Sequence, residues 1–145
     1  MKKRKQTITM CADYKNPNLN FTILCDDVRQ EMGGRMSIMG VFENIYAEQL
    51  PAIHLRLGVI NEWIGGNGDH NTAVRIYTPD RSRLMAESKT KLAMPPDSRR
   101  CRQISMFLNL EFKIQGNYWI DILLDDKVLH TIPLPVIQIP SHGFH

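Results

Sequence analysis

Apolar and polar residues alternate one by one along most of the chain after residue 20. The longest such run spans residues 104–114, where every second residue is apolar. A period of two places the apolar set on one face of a strand, because a helix face would require spacings of three and four. We therefore predict a strand whose inward row is Ile104, Met106, Leu108, Leu110, Phe112 and Ile114.

Turn-forming residues divide the alternating pattern into about eight strand-length segments. Besides the long run, five segments are defined by their bounds: 21–25, 36–42, 72–77, 84–92 and 128–132. Two more are defined by their inward rows, which are Ile53, Leu55, Leu57 and Val59 in one and Tyr118, Ile120, Ile122 and Leu124 in the other. This pattern predicts an all-β domain, an antiparallel β-sandwich of the immunoglobulin-like or C2-like kind. The sandwich is expected at residues 20–137, between a basic polar tail at 1–19 and a second tail at 138–145.

Two segments carry more specific expectations. Pro133 and Pro135 predict that the last strand lies at a sheet edge, because proline cannot donate a hydrogen bond to a neighbouring strand. Residues 43–50 form a short stretch that is the one helix candidate.

Length and cysteine content narrow the class of protein. A chain of 145 residues is long enough for one domain with its own core. Its three cysteines, Cys11, Cys25 and Cys101, are odd in number and widely spaced, which is typical of a reducing compartment rather than of a disulfide framework. No apolar run reaches the length of a membrane span or of a signal peptide. We therefore expect a cytoplasmic protein with no membrane partner.

The net charge of +3 comes from the first residues of the chain, Lys2, Lys3, Arg4 and Lys5. The remaining 14 basic residues are outnumbered by 15 acidic ones. A nucleic-acid surface needs positive charge on the folded face and interleaved aromatic residues for base stacking. The second basic run, at 99–102, has no such aromatic residues, so the sequence argues against a nucleic-acid partner.

The segment 25–42 reads CDDVRQEMGGRMSIMGVF. It resembles the opening of a family of small, uncharacterised bacterial all-β proteins, in which a CDD-V-R-x-E stretch leads through paired glycines to an S-x-x-G-V-F strand. The segment from Gly116 to Val136 is similar to that family's closing hairpin, so the resemblance spans roughly residues 20–137. It implies a soluble bacterial β-sandwich, and it carries over no catalytic residue because the family has no assigned activity.

Aspartates are concentrated in the predicted turns at one end of the sandwich. Carboxylates from several loops can hold a hard cation such as calcium, which takes six to eight oxygen ligands. The alternative is that aspartate is simply a favoured turn residue. The residues concerned are Asp26, Asp27, Asp69, Asp97, Asp125 and Asp126.

Three bulky residues fall on the phase opposite to the predicted inward rows: Phe107, Trp119 and Leu123. If their two strands pair, these side chains form an apolar strip on an outer sheet face, and such patches usually mark contact surfaces. The alternative is that Trp119 is covered by the N-terminal segment or by the stretch 43–50.

The leading hypothesis is a non-enzymatic module that self-associates or docks on a protein partner, with no cofactor. A metal or small-ligand binding module that uses the acidic loops is the second hypothesis. An enzyme is the third, and Asp26, Asp27 and Glu31 are the residues it would use, because paired carboxylates can serve as acid and base.

Overall fold

The computed structural model describes residues 16–95 and 100–141 and contains nine strands in two sheets. The strands are β1 Asn18–Gln30, β2 Met36–Val41, β3 Ile45–Ala47, β4 Ala52–Ile64, β5 Asp69–Tyr77, β6 Leu84–Ala93, β7 Arg100–Phe112, β8 Gly116–Leu124 and β9 Lys127–Gln138. The first sheet has the order β2-β1-β4-β7 and the second the order β3-β9-β8-β5-β6. The predicted all-β sandwich is confirmed. Within the described ranges, no helix is long and apolar enough to cross a membrane.

The helix candidate at 43–50 is wrong, because this stretch contains β3. Ile45 and Ala47 are buried while Tyr46 is exposed, which is the period of two that a strand requires. β3 pairs in parallel with the end of β9, whereas all other strand pairs are antiparallel. β1 starts at Asn18, two residues before the expected start of the sandwich. The predicted tail residues 1–15 and 142–145 lie outside the described residues.

The core lies between the two sheets and confirms the inward row predicted for β8. All four residues of that row belong to the central cluster: Tyr118, Ile120, Ile122 and Leu124. On the facing sheet, Leu57, Val59 and Trp63 of β4 fill the same cluster. The burial of apolar area in this layer is the main contribution to stability.

The inward row predicted for β7 is wrong over part of its length, because the alternation changes phase at Asn109. Phe107 is 6% exposed and belongs to the core, whereas its neighbour Leu108 is 62% exposed. Beyond Asn109, Leu110 and Phe112 point inward as predicted. Asn109 has φ of 56°, in the left-handed region, which asparagine tolerates better than most residues.

β4 pairs with β7 on both sides of Asn109, so the alternation of buried and exposed residues along β4 changes there as well. Arg56 is opposite Leu108 and His54 is opposite Leu110, on either side of Asn109. Ile53 and Leu55 are therefore exposed, although they were predicted in one row with the buried Leu57 and Val59.

The predicted edge position of the last strand is wrong in the strand order, because β3 lies outside β9, but β9 is open on that side over most of its length. β9 pairs with β8 continuously through Pro133 and Pro135. β3 covers the other side of β9 only at residues 136–138. Since neither proline has an N–H group, β9 lacks two of the backbone donors that an added strand could use.

Candidate interaction groove

On the other side of the sandwich, the edge strands β6 and β7 meet at one end and separate at the other. At the closed end, Gln103 Nε2 of β7 donates to the Lys91 carbonyl oxygen of β6 at 3.5 Å. Gln103 Oε1 accepts hydrogen bonds from Thr72 Oγ1 at 2.8 Å and from Trp63 Nε1 at 3.0 Å. These bonds tie the two sheets together at this point, and the strands diverge from it.

The diverging strands leave a groove of about 630 Å³. Its core-side residues are Leu110 and Tyr118, both buried, while Met85 of β6 lines the opposite wall. Leu108 and Ile114 line it too, and they are 62% and 58% exposed. An open concavity of this size with exposed apolar side chains is typical of a binding site.

Ile114 is held at the groove by a hydrogen-bonded tyrosine. The Tyr118 hydroxyl donates to the Ile114 carbonyl oxygen at 2.7 Å and accepts from the Ile114 N–H at 3.4 Å. The ring packs edge-on against Phe112, with 4.8 Å between the ring centroids. The arrangement resembles the tyrosine corner of immunoglobulin-like sandwiches, in which a buried tyrosine bonds to the backbone a few residues upstream. It fixes the backbone that carries an exposed apolar side chain.

The loop 78–83, between β5 and β6, forms one wall of the groove. The carboxylate of Asp80 accepts three hydrogen bonds inside this loop, from Ser82 N at 3.0 Å, Ser82 Oγ at 2.7 Å and Thr78 Oγ1 at 2.9 Å. These bonds lower the pKa of Asp80. The loop is closed by Thr78 N–H, which donates to the Arg83 carbonyl oxygen at 3.0 Å.

Arg81 fastens this loop to the outer face of the second sheet. Its guanidinium donates to both carboxylate oxygens of Asp121, each at 3.1 Å. It also lies over the rings of Tyr77 and Trp119, 5.4 Å and 5.5 Å from their centroids. Trp119 Nε1 donates to the Pro79 carbonyl oxygen at 3.1 Å. We call Arg81, Asp121 and Trp119 the clamp.

The charges of Arg81 and Asp121 in the clamp stabilise each other. Burial of Asp121 raises the pKa of its carboxyl group, but the hydrogen bonds from Arg81 and Thr131 outweigh burial, so the net pKa is lowered. The hydrogen bond with Asp121 raises the pKa of Arg81. Both groups therefore stay charged at neutral pH, and the loop is held by a bidentate ion pair.

The predicted strip of Phe107, Trp119 and Leu123 does not exist as one surface. β7 and β8 belong to different sheets, and the phase change at Asn109 turns Phe107 into the core. Leu123 is 2% exposed and lines a separate depression of about 380 Å³ with Lys89 and Lys91. Trp119 is half-buried and bonded to its own chain. Of the three residues, Trp119 is the one connected to the groove, through the loop that it supports.

The structure also separates the predicted metal-binding aspartates. Asp26 and Asp27 lie within β1 of the first sheet, whereas Asp69, Asp125 and Asp126 belong to β5 and the β8–β9 turn of the second sheet. In the part of the chain that the structure describes, no three His, Cys, Asp or Glu side chains are grouped to hold a metal ion. Asp97 lies outside the described residues.

These aspartates have structural partners instead. Asp27 accepts a hydrogen bond from Arg56 at 2.7 Å, and Asp125 Oδ2 lies 2.7 Å from His70 Nδ1. Asp26 packs against Gly40, where an added Cβ would stand 2.4 Å from its Oδ2. Gly40 also has φ of 68°, which favours glycine. Asp26 and Gly40 of the 25–42 motif therefore join β1 to β2, and Asp27 joins β1 to β4.

The described cysteines are not placed for nucleophilic chemistry. Cys25 is buried and Cys101 is half-buried, and both are free thiols. Burial raises the pKa of each thiol, and a nearby Asp26 carboxylate adds to the effect at Cys25. A thiol with a raised pKa is a weak nucleophile at neutral pH.

The groove was missed at the level of sequence because alternation assigned Leu108 and Ile114 to the core. An asparagine in the middle of a long strand was the available signal, since asparagine is enriched at positive φ. No short sequence pattern indicates that β6 and β7 lie next to each other, because their position depends on the order of strands in the two sheets.

The model of a family of unknown function, DUF6941, matches residues 20–137, so the chain belongs to that family. The predicted membership of an uncharacterised family is confirmed over the predicted range. No curated protein matches the chain.

Among solved structures, a CARDB domain from Pyrococcus furiosus, in complex with di-metal ions, is similar at 15% identity and a TM-score of 0.45, covering 87% of this chain and 98% of that one. An immunoglobulin-like protein from Pseudomonas aeruginosa is similar at 11% identity and a TM-score of 0.44, covering 85% and 98%.

Proposed function

We propose that this member of a family of unknown function is a non-enzymatic module that binds an apolar segment of a partner protein in the groove between β6 and β7. One observation carries the proposal. Leu108 and Ile114 are more than half exposed and line a concave space of about 630 Å³. Scattered exposed leucines need no explanation, but apolar side chains gathered at a concavity are typical of contact sites.

The charges around the groove favour an uncharged occupant. Asp80 and Arg83 lie on one wall and Glu111 and Lys113 on the other. Each wall thus combines one acidic and one basic side chain, and the rim has no net charge. Binding there would depend on the burial of apolar area rather than on ion pairs, and it would change little with salt concentration.

The free thiols of Cys25 and Cys101 support a reducing compartment for this interaction. Their raised pKa values and the ion-paired state of Asp27 favour a binding module over an enzyme. We therefore propose that the partner is an intracellular protein.

The proposal is tested by placing a photo-crosslinking amino acid, benzoylphenylalanine, at Ile114 in the source cell. The matched control carries it at Leu129, which is 46% exposed on β9 at the opposite side of the sandwich. We expect a discrete adduct from position 114 that is absent from position 129. Adding Leu108→Asp to the position 114 variant should abolish the adduct, because a buried carboxylate at the groove would lose its hydration.

Identical adducts from both positions, or none from position 114, would overturn the proposal. An adduct that contains two copies of this chain would identify the groove as a self-association surface instead. Sedimentation of the wild-type protein beside Leu108→Asp and Leu129→Asp checks that outcome independently.

A further inference from the structure

We infer that the occupant of the groove binds as an added β-strand along the first half of β6, at residues 84–88. This inference rests on the proposed function and specifies its partner as an extended, uncharged segment with apolar residues at alternate positions. Strand addition at a sheet edge is a recurrent mode of peptide recognition, in which backbone bonds supply affinity and side-chain pockets supply specificity.

The edge of β6 is open. Among the described strands, β6 has a hydrogen-bonded neighbour on one side alone, which is β5. A row of backbone N–H and C=O groups therefore remains on the side that faces the groove, and such a row is a template for another strand.

The two halves of β6 differ in their suitability as an edge for pairing. The second half carries Lys89 and Lys91, and exposed lysines are a usual device against strand addition. Residues 84–88 contain no lysine, no proline and no residue with positive φ, although the register with β5 shifts at Met85. Their one charged residue, Glu87, forms an ion pair with Arg75 of β5. Met85 and Ala86, within this half, line the groove. The accessible part of the edge and the apolar cavity thus coincide.

The edge of β7 is the less suitable of the two strands at the groove. Asn109 lies there in the left-handed region, with φ of 56°. A left-handed residue interrupts the regular orientation of N–H and C=O groups along a strand. β7 therefore contributes side chains, chiefly Leu108, and β6 contributes the backbone.

The chemistry of the occupant follows from the wall charges and from the period of a strand. Each wall has one acidic and one basic residue: Asp80 with Arg83, and Glu111 with Lys113. A segment with a net charge would gain nothing from such a rim. A strand on β6 directs every second side chain toward the cavity between Met85 and Leu108, and these alternate positions should be apolar.

The test uses a phage-displayed library of unconstrained peptides of about twelve residues, panned against the full chain, because that length covers the edge with flanking residues. Enriched peptides are synthesised, and their dissociation constants are measured for wild type, Leu108→Asp and the control Leu129→Asp. We expect alternating apolar residues, affinity that is unchanged between low and high salt, and a loss of about tenfold or more with Leu108→Asp alone.

Backbone N-methylation then separates strand addition from simple side-chain binding. Each peptide is remade with a single N-methyl group at successive positions, which removes one N–H donor at a time. We expect losses of about tenfold at alternate positions and small effects between them, because only every second N–H of an added strand faces β6. Amide hydrogen exchange at residues 84–88 should slow in the complex.

The outcomes distinguish the two proposals. If Leu108→Asp abolishes binding but no N-methyl group weakens it, strand addition is overturned and the proposed function stands. If no enriched peptide depends on Leu108, the proposed function fails and this inference with it. If wild type is a dimer that Leu108→Asp converts to a monomer, the occupant is a second copy, and a partner segment is excluded.

Discussion

The two open sides of the sandwich differ in how they protect their edge strands. On the side of β9, Pro133 and Pro135 remove N–H donors, and β3 covers the end of the strand. On the side of β6 and β7, the strands diverge and leave apolar side chains around a groove. An exposed edge invites uncontrolled pairing, so the edge of β6 that borders the groove is more open to an added strand than the part of β9 that carries the two prolines. The comparison teaches that apolar exposure beside an open strand edge is a stronger reason to propose a binding face than exposure alone.

The clamp is what keeps the groove wall in place, and its removal should have the largest effect. Arg81→Ala leaves the carboxylate of Asp121, only 7% exposed, without its guanidinium partner. We expect a marked loss in the free energy of unfolding, because the Asp121 carboxylate would lose its bidentate ion pair and keep only the hydrogen bond from Thr131. Urea denaturation measures the loss. The control Arg83→Ala, two residues along the same loop and exposed, should cost at most about 0.5 kcal/mol. Equal losses in both variants would show that the clamp does not stabilise the wall.

A smaller effect is expected where β8 begins, at Gly116, because the loop packs directly against this glycine. Gly116 has φ of 148°, and an added Cβ would lie 3.1 Å from Pro79 Cγ. Gly116→Ala therefore combines backbone strain with displacement of the wall, and we expect a loss of about 2 kcal/mol together with weaker peptide binding.

The control for this variant is Gly33→Ala in the β1–β2 turn. Gly33 has φ of 83° and no atom within 4 Å of an added Cβ, so its substitution introduces strain without a clash. Peptide affinity should be unchanged there. Equal affinities of the two variants would mean that Pro79 does not shape the groove.

Local sequence signals predicted those parts of the molecule where each strand keeps one phase. The inward row of β8 follows alternation throughout, because every residue from Tyr118 to Leu124 has an ordinary strand conformation. β7 departs from it at one residue, Asn109, and the departure moves Phe107 into the core and Leu108 out of it. A local pattern also cannot show that β7 and β8 lie in different sheets, since that is a property of strand order.

Removing the two prolines of β9 should change the self-association of the protein more than its stability. Replacing Pro133 and Pro135 together by threonine restores two backbone donors on the open side of β9, and threonine suits an exposed strand position. We expect concentration-dependent self-association in sedimentation experiments, with a change in unfolding free energy below about 1 kcal/mol. A monomer at all concentrations would indicate that the prolines are not what protects this edge.

The smallest expected effect is the response of the clamp to acid. Because the pKa of Asp121 is lowered in the folded protein, its ion pair stabilises the fold above the ordinary carboxyl pKa of 3.8, and this contribution is lost as the pH falls through the lowered value. Glu62, Asp80 and Glu87 also have lowered pKa values, mainly from the hydrogen bonds that they accept, so wild type alone would mix several sites. The measurement is therefore the difference in unfolding free energy between wild type and Asp121→Asn. We expect this difference to be constant from neutral pH to about pH 4 and to shrink below it. A difference that persists unchanged in stronger acid would show that the charge of Asp121 does not hold Arg81, and that the wall depends on Trp119 and Pro79 instead.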